Sequence, residues 1–230
     1  MGRTVVVGDL HGCRDELEDL LSHIGFGAGD RLVSVGDLVV RGPDPAGTID
    51  LLQRVSARVV RGNHEDRLLR YRQARPGTVQ LGSLQRETVR AFRRRHWDFI
   101  ASLPLWIDLP EHGLRIVHAG VDPSLPIERQ SPRVLMYVRS LGPSGLPEER
   151  RGVTLWAERY LGPPHLVFGH NALATPQVHP FATGVDTGCV YGGRLTAMVL
   201  RADEHPPPPE DRASVLVSVP ARRTYYPRPR

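Results

Sequence analysis

Arg61-Gly62-Asn63-His64-Glu65-Asp66 decides how this chain is read, because two earlier segments share its design. Val5-Val6-Val7-Gly8-Asp9-Leu10-His11-Gly12 is a β-branched run ending in Gly-Asp and a histidine. Leu32-Val33-Ser34-Val35-Gly36-Asp37 is a second such run, followed by Arg41-Gly42, and Ala57-Arg58-Val59-Val60 leads into the quoted stretch. A short apolar run closed by glycine reads as a buried parallel strand whose C-terminal end carries polar residues. In open α/β sheets, ligands bind in the crevice outside those ends. Three strands should therefore deliver Asp9, His11, Asp37, Asn63 and His64 to one edge. Carboxylate and amide oxygens beside imidazoles suit divalent metals such as manganese, iron or zinc.

Outward from these blocks, strands alternate with helices. Leu17, Leu20, Leu21 and Ile24 recur at helical spacing and Gly25 marks a stop. Pro43-Asp44-Pro45 opens a second helix with Ile49, Leu52 and Val55 on its apolar face. That order implies right-handed parallel crossovers. Residues 65–73 and 83–95 each read as one further helix. From Leu105 the period changes: Leu105–Leu109 and Leu114–His118 read as a hairpin, and Leu166–Phe168 as a strand ending in Gly169-His170. Residues 183–189 lead through Gly192-Gly193 into a hairpin ending at Leu200. The expected organisation is one domain over 1–201, with a Pro- and Gly-interrupted cap insert at 121–151. Beyond it, 202–230 reads as a Pro-rich linker, an edge strand at 214–219 and a basic, disordered last ten residues.

Composition limits the function classes. The 230 residues suit one α/β domain, and no apolar run approaches a membrane span. A strand begins too early to leave room for a signal peptide, and two cysteines, Cys13 and Cys189, make no disulfide framework. Both observations fit a cytoplasmic protein with no membrane partner. The net charge of +5 is carried without any lysine, which excludes a P-loop lysine or a Schiff base. Arg93-Arg94-Arg95 and Arg222-Arg223 read as solvated surface, so nucleic-acid binding is not expected.

Of ten histidines, four end a strand-like run or follow a glycine-bearing block: His11, His64, His118 and His170. The other six lack that context. Gly8-Asp9-Leu10-His11-Gly12, Gly36-Asp37 with Arg41-Gly42, and Gly62-Asn63-His64-Glu65 together resemble the three-block signature of the calcineurin-like metallophosphoesterases. Within them the chain is most similar to the branch holding phosphoprotein phosphatases and diadenosine tetraphosphate hydrolases. The resemblance implies an α/β sandwich of two mixed β-sheets flanked by helices. It also implies two divalent ions, manganese first, with iron, zinc, cobalt and nickel as alternatives. By the same resemblance Asp9 and His11 would hold one ion and Asn63, His118 and His170 the other, with Asp37 bridging. His64 would assist the leaving group and Arg41 would bind a phosphoryl oxygen. Arg139 is the candidate second phosphate ligand, from its place in the cap. Glu65 and Asp66 would orient His64 or cap the next helix.

One position departs from the phosphatase pattern, which carries an aspartate directly before the arginine of the second block. Here it is Val40, which can neither accept a hydrogen bond nor stabilise an imidazolium. A small apolar residue there, and the block Asp186-Thr187-Gly188-Cys189-Val190-Tyr191-Gly192-Gly193-Arg194, resemble the tetraphosphate hydrolases. Glu65 after His64 is closer to the phosphatases. The expected substrate is a nucleotide-type small molecule, diadenosine tetraphosphate, cut symmetrically to nucleoside diphosphates. The alternative is a phosphoprotein Ser/Thr phosphatase.

Overall fold

The computed structural model describes residues 2–228. In chain order the first half runs β1 (Thr4–Val7), α1 (Arg14–His23), β2 (Arg31–Ser34), α2 (Pro45–Arg54), β3 (Arg58–Val59) and α3 (Asn63–Gln73). Helices α4 (Ser83–Ala91) and α5 (Arg94–Ser102) come next, then β4 (Trp106–Leu109), β5 (Leu114–Val117) and α6 (Pro132–Tyr137). The rest comprises β6 (Ser140–Leu141), β7 (Pro147–Glu148), β8 (Thr154–Leu155), β9 (His165–Phe168), β10 (Gln177–His179), β11 (Ala182–Gly184), β12 (Arg194–Leu200) and β13 (Leu216–Pro220).

Two five-stranded mixed sheets result, ordered β13-β12-β1-β2-β3 and β10-β11-β9-β5-β4. In the first, β1, β2 and β3 are parallel as expected, while β12 and β13 close the other edge antiparallel. Every residue of β1 is buried, which a strand with both faces covered requires. Val6 and Val33 face Ile107, Ile116 and Val167 across the gap between the sheets. Val5 and Val7 face the other way, into a core with Leu17, Leu20, Ile49, Leu52 and Leu68 from the helices. On the far side of the second sheet, Phe168 and Val117 pack on Leu135, Val138 and Trp156. The layers are therefore helices, sheet, sheet and an outer cover that includes α6. Among the described residues no helix is long and apolar enough to cross a membrane.

Register sets the active edge. Val7 pairs with Ser34 and Ser34 with Val59, and the next amides extend both ladders: Val35 N–H donates to Val7 O, and Val60 N–H to Ser34 O. The three Gly-bearing blocks therefore leave adjacent strands at one level. Local chemistry then sets where the next helix begins. Asp44 accepts from Gly47 N–H at 2.8 Å and Pro45 opens α2, so that helix starts where expected.

Four expectations need correction. The helix expected over 83–95 is two, because Phe92 turns extended and packs its ring edge-on to His96 and Trp97. His96 Nδ1 then accepts from Arg93 N–H, capping α5. The hairpin expected through Gly192-Gly193 is a change of sheet, since β11 lies in the second sheet and β12 in the first. Within 202–213 the proline-rich run wraps a 3-10 turn over Pro209–Val215, and Arg212 in it is almost fully buried. The last ten residues, expected to be disordered, are described through 228 and pack on the first sheet. Ala221 N–H donates to Gly193 O, and both Tyr225 and Tyr226 amides donate to Val190 O. Composition could not register those three bonds.

Candidate active site

Asp9, His11, Asp37, Arg41, Asn63, His64, Arg139 and His170 line one cavity of about 590 Å³. His118 is fully buried beside it, with Nε2 3.5 Å from Asp37 Oδ1. All nine residues singled out from sequence are thus brought together. Eight of them arrive in the turn after a strand or at the start of the helix that follows it, and Arg139 comes from the short link between α6 and β6. The turns are tight: His11, Asp37, Val40, Arg41 and His170 all have positive φ, between 45° and 74°. Among the described residues only Ser56 and Asp203 share that conformation without being glycine. Left-handed backbone at non-glycine residues costs on the order of 1–3 kcal/mol each and collects at functional sites.

Second contacts orient the side chains. Glu65 accepts from the amides of Asp37, Leu38, Val39 and Gly62 at 2.9–3.2 Å, so one carboxylate shapes the second block and caps α3. It does not orient His64. Asp66 is engaged by Arg70 and by the Tyr137 hydroxyl, and does not orient His64 either. Asp9 accepts from His170 N–H with both oxygens at 3.1 Å. Its carboxylate lies where a Cβ on Gly169 would stand, so only glycine fits there.

The donor set has the chemistry of a cation site. His118 Nδ1–H donates to Val35 O at 2.8 Å, which leaves Nε2 as a lone pair. That lone pair faces Asn63 Oδ1 at 3.0 Å, another acceptor, and Asp37 Oδ1. Electron pairs facing each other with no hydrogen between them call for a positive ion. His11 likewise donates Nδ1–H to Val39 O and leaves Nε2 as a lone pair 3.6 Å from Asp37 Oδ2, though here an Arg41 N–H also reaches that nitrogen, at 2.9 Å. Two groups, His11-Asp37-His64 and Asp37-His118-His170, each gather donor atoms within 4.8 Å, and Asp37 is common to both. Burial lowers His11 to about 4 and His64 to about 3, so both rings are neutral near pH 7. Burial also pushes the Asp186 carboxyl up to about 6 and that of Asp9 well above its usual range, with neighbouring carboxylates adding to both. Bound cations would relieve this crowding of charge.

His64 differs from the other imidazoles. Its Nδ1 is buried with no hydrogen-bond partner among the described residues, and its Nε2 is 4.0 Å from Asp37 Oδ2. Arg41 spans from His11 Nε2, at 2.9 Å, to the faces of Tyr191 and Tyr226, with Cζ 5.6 and 5.7 Å from the ring centroids. Arg139 lines the cavity but gives one amino group to His170 O, at 2.6 Å.

Sequence reasoning did not assign Asp186, Tyr191, Arg150, Arg151 or Arg228 to the site, although all five line the same cavity and the first two belong to the block quoted for its resemblance. For Asp186 a signal was present: Gly184-Val185-Asp186 ends strand β11 as Gly8-Asp9 ends β1. The arginines carried none, since they reach the cavity only through the folded path of the insert and the chain beyond β13.

Known proteins agree with this architecture. A bis(5'-nucleosyl)-tetraphosphatase PrpE [asymmetrical] from Halalkalibacterium halodurans is 32% identical over 84% of this chain and 88% of its own length. The protein of the same name from Geobacillus sp. is 31% identical over the same shares. A crystal structure provisionally described as a diadenosine tetraphosphatase superposes with a TM-score of 0.81, at 35% identity, covering 96% of this chain and 94% of its own. A Saccharomyces cerevisiae protein serine/threonine phosphatase shares the fold at TM-score 0.63 and 17% identity, over 96% of this chain and 79% of its own. Residues 2–207 match the calcineurin-like phosphoesterase family, and with the three blocks converging on one dimetal-type donor set, the chain belongs to that family.

Proposed function

We propose that this phosphoesterase hydrolyses dinucleoside tetraphosphates, and does so asymmetrically, releasing a nucleoside triphosphate and a monophosphate. The observation that carries the reading is the cavity wall: Arg41, Arg139, Arg150, Arg151 and Arg228 surround the carboxylate and imidazole cluster. Five guanidinium groups suit a chain of phosphates, and their planar forks match phosphate oxygens. A single phosphoserine would engage few of them. The symmetrical cut expected from the sequence finds no support in the relatives, whose names say asymmetrical.

In this reading Asp9 and His11 hold one divalent ion, Asn63, His118 and His170 the second, and Asp37 both. When bound, the pair supplies Lewis acidity and an activated water for in-line attack on phosphorus. Manganese is the proposed metal. Arg41 and Arg139 bind the phosphoryl oxygens and offset charge that develops on them. His64 stands by the leaving oxygen. With Val40 where a carboxylate would otherwise stand and Nδ1 unpartnered, His64 is a weak proton donor. A weak donor can release a nucleotide, whose terminal phosphate has a pKa near about 6, far better than a serine alkoxide. The insert at 121–151 supplies Arg139, Arg150 and Arg151, and so sets specificity.

The test is a side-by-side assay with manganese, with products resolved by chromatography. Diadenosine tetraphosphate should give ATP and AMP, at a kcat/KM far above that of any phosphoserine peptide. Two equivalents of ADP would overturn the asymmetry. Equal turnover of the peptide would overturn the substrate class in favour of a phosphoprotein phosphatase. Val40→Asp should narrow the gap by helping the peptide reaction more.

A further inference from the structure

After β13 the chain crosses the first sheet and ends its described course at the cavity. Arg222 anchors the crossing: its amide donates to Glu16 Oε1, and its guanidinium pairs with Asp19 at 2.9 Å and Asp15 at 2.8 Å. Tyr225 donates its hydroxyl to the same Glu16 oxygen at 2.7 Å. Thr224 bridges to Tyr191, and Tyr226 brings its ring 6.3 Å from that of Tyr191. Fixed this way, residues 221–228 form a strap whose last described arginine, Arg228, lines the cavity with Asp9, Asp37 and Arg41. Its guanidinium carbon lies 5.9 Å from the Tyr191 centroid, a ring that also holds Arg41 at 5.6 Å. The two guanidinium groups thus share one aromatic support. Arg41 sits against His11, whereas Arg228 sits beside Gly188. The ends of the strap contrast: Arg222 is held by two aspartates, while Arg228 has no ion pair among the described residues.

We infer that the strap is part of the substrate site and that Arg228 binds phosphates of the chain beyond the one being attacked. This rests on the polyphosphate reading above and deepens it: the enzyme should distinguish long phosphate chains from short ones through a residue outside the sandwich core. An arginine fixed on an aromatic face loses little freedom on binding, and its fork can grip two phosphate oxygens at once. In this assignment a substrate with one phosphate, held at the cluster, leaves Arg228 unengaged.

The experiment compares wild type, Arg228→Ala and Arg228→Lys, each loaded with manganese kept in excess of all phosphate. Arg228→Ala should raise KM for diadenosine tetraphosphate roughly 10-fold with kcat within about twofold. KM for para-nitrophenyl phosphate should stay within about twofold of wild type. Inorganic tripolyphosphate should inhibit para-nitrophenyl phosphate hydrolysis, with its Ki raised by a similar factor in Arg228→Ala and restored in part by Arg228→Lys. Unmoved KM and Ki would overturn the inference while leaving the dinucleotide reading intact. An equal shift for both substrates would also overturn it, because the arginine would then act at the reacting phosphate. If the dinucleotide is not hydrolysed but tripolyphosphate still depends on Arg228, the substrate reading fails and the subsite stands.

Discussion

The same two strands carry histidines at both ends, and the ends behave differently. His118 and His170 come after the C-terminal ends of β5 and β9; His112 and His165 stand at their beginnings. All four are buried. At the beginnings, every ring nitrogen facing the protein has a fixed partner. His112 lies between Glu204 O and Thr4 Oγ1, at 2.7 and 2.8 Å. His165 Nε2 takes Arg212 and Thr183, both at 2.9 Å. At the other end, His118 satisfies one nitrogen and points the second at acceptors. Burial therefore does not separate structural from functional histidine here. The two kinds are separated by whether the second nitrogen faces a hydrogen or another electron pair.

Variants at each end should give opposite signatures. Asp37→Asn, at the open end, should lower kcat/KM by roughly 10⁴, about 5.5 kcal/mol, and bring bound metal below two per chain. In chelator its melting temperature should not fall, because it removes charge from a crowded carboxylate group. A loss of stability without a loss of metal would dissolve the contrast. At the closed end, Arg212→Ala should cost about 3 kcal/mol, because it empties a buried volume and strips partners from His165, Thr183 and Pro207 O. For a chain of this size that is a drop of about 6–12 °C, with kcat per folded molecule unchanged.

His64→Asn should reduce kcat by roughly 10²-fold, near the low end for a positioned acid, since no carboxylate supports the ring. Metal content should remain near two; a missing ion in this variant would make His64 a ligand. The last effect is one of pH and is graded. Burial first, then Arg212, lowers His165 to about 3. The unfolded chain therefore binds a proton near pH 6.5 that the folded chain refuses until about pH 3. Stability contributed by His165 is whole above 6.5 and is lost as pH falls through that window, by up to about 1.4 kcal/mol per pH unit. Denaturation midpoints for wild type and His165→Gln, measured from pH 7 to 4, should converge as the wild type loses this contribution. Parallel curves would show that His165 does not titrate this way.

The open end was legible in the sequence because it is built from short segments, each carrying its own chemistry next to a strand. Asp9, His11, Asp37, Asn63 and His64 could be placed from the short apolar runs before them. The closed end was not: Arg212 read as part of a linker, yet it is buried because three partners lie 5, 29 and 47 residues away in sequence. No local pattern encodes such a partnership. The break at Phe92 was hidden for a related reason, as arginine-rich helix formers ran through it and the decision lay in its contact with Trp97. Glu65 could be read as a helix cap, but its grip on three amides of the second block needed the fold.

The pairing of β1 with β12, Thr4 opposite Leu200, has a consequence for how the molecule is made. β1 supplies the first residues of the donor set, yet one of its two edges waits for a partner nearly the length of the chain later. At a typical synthesis rate that wait is roughly 10–40 s. Until it ends, a strand edge with unpaired backbone groups stands open beside a donor cluster that has its first half but not His118 or His170. The nascent chain must pass this interval without pairing that edge elsewhere, which makes the closing strand a determinant of yield as well as of shape.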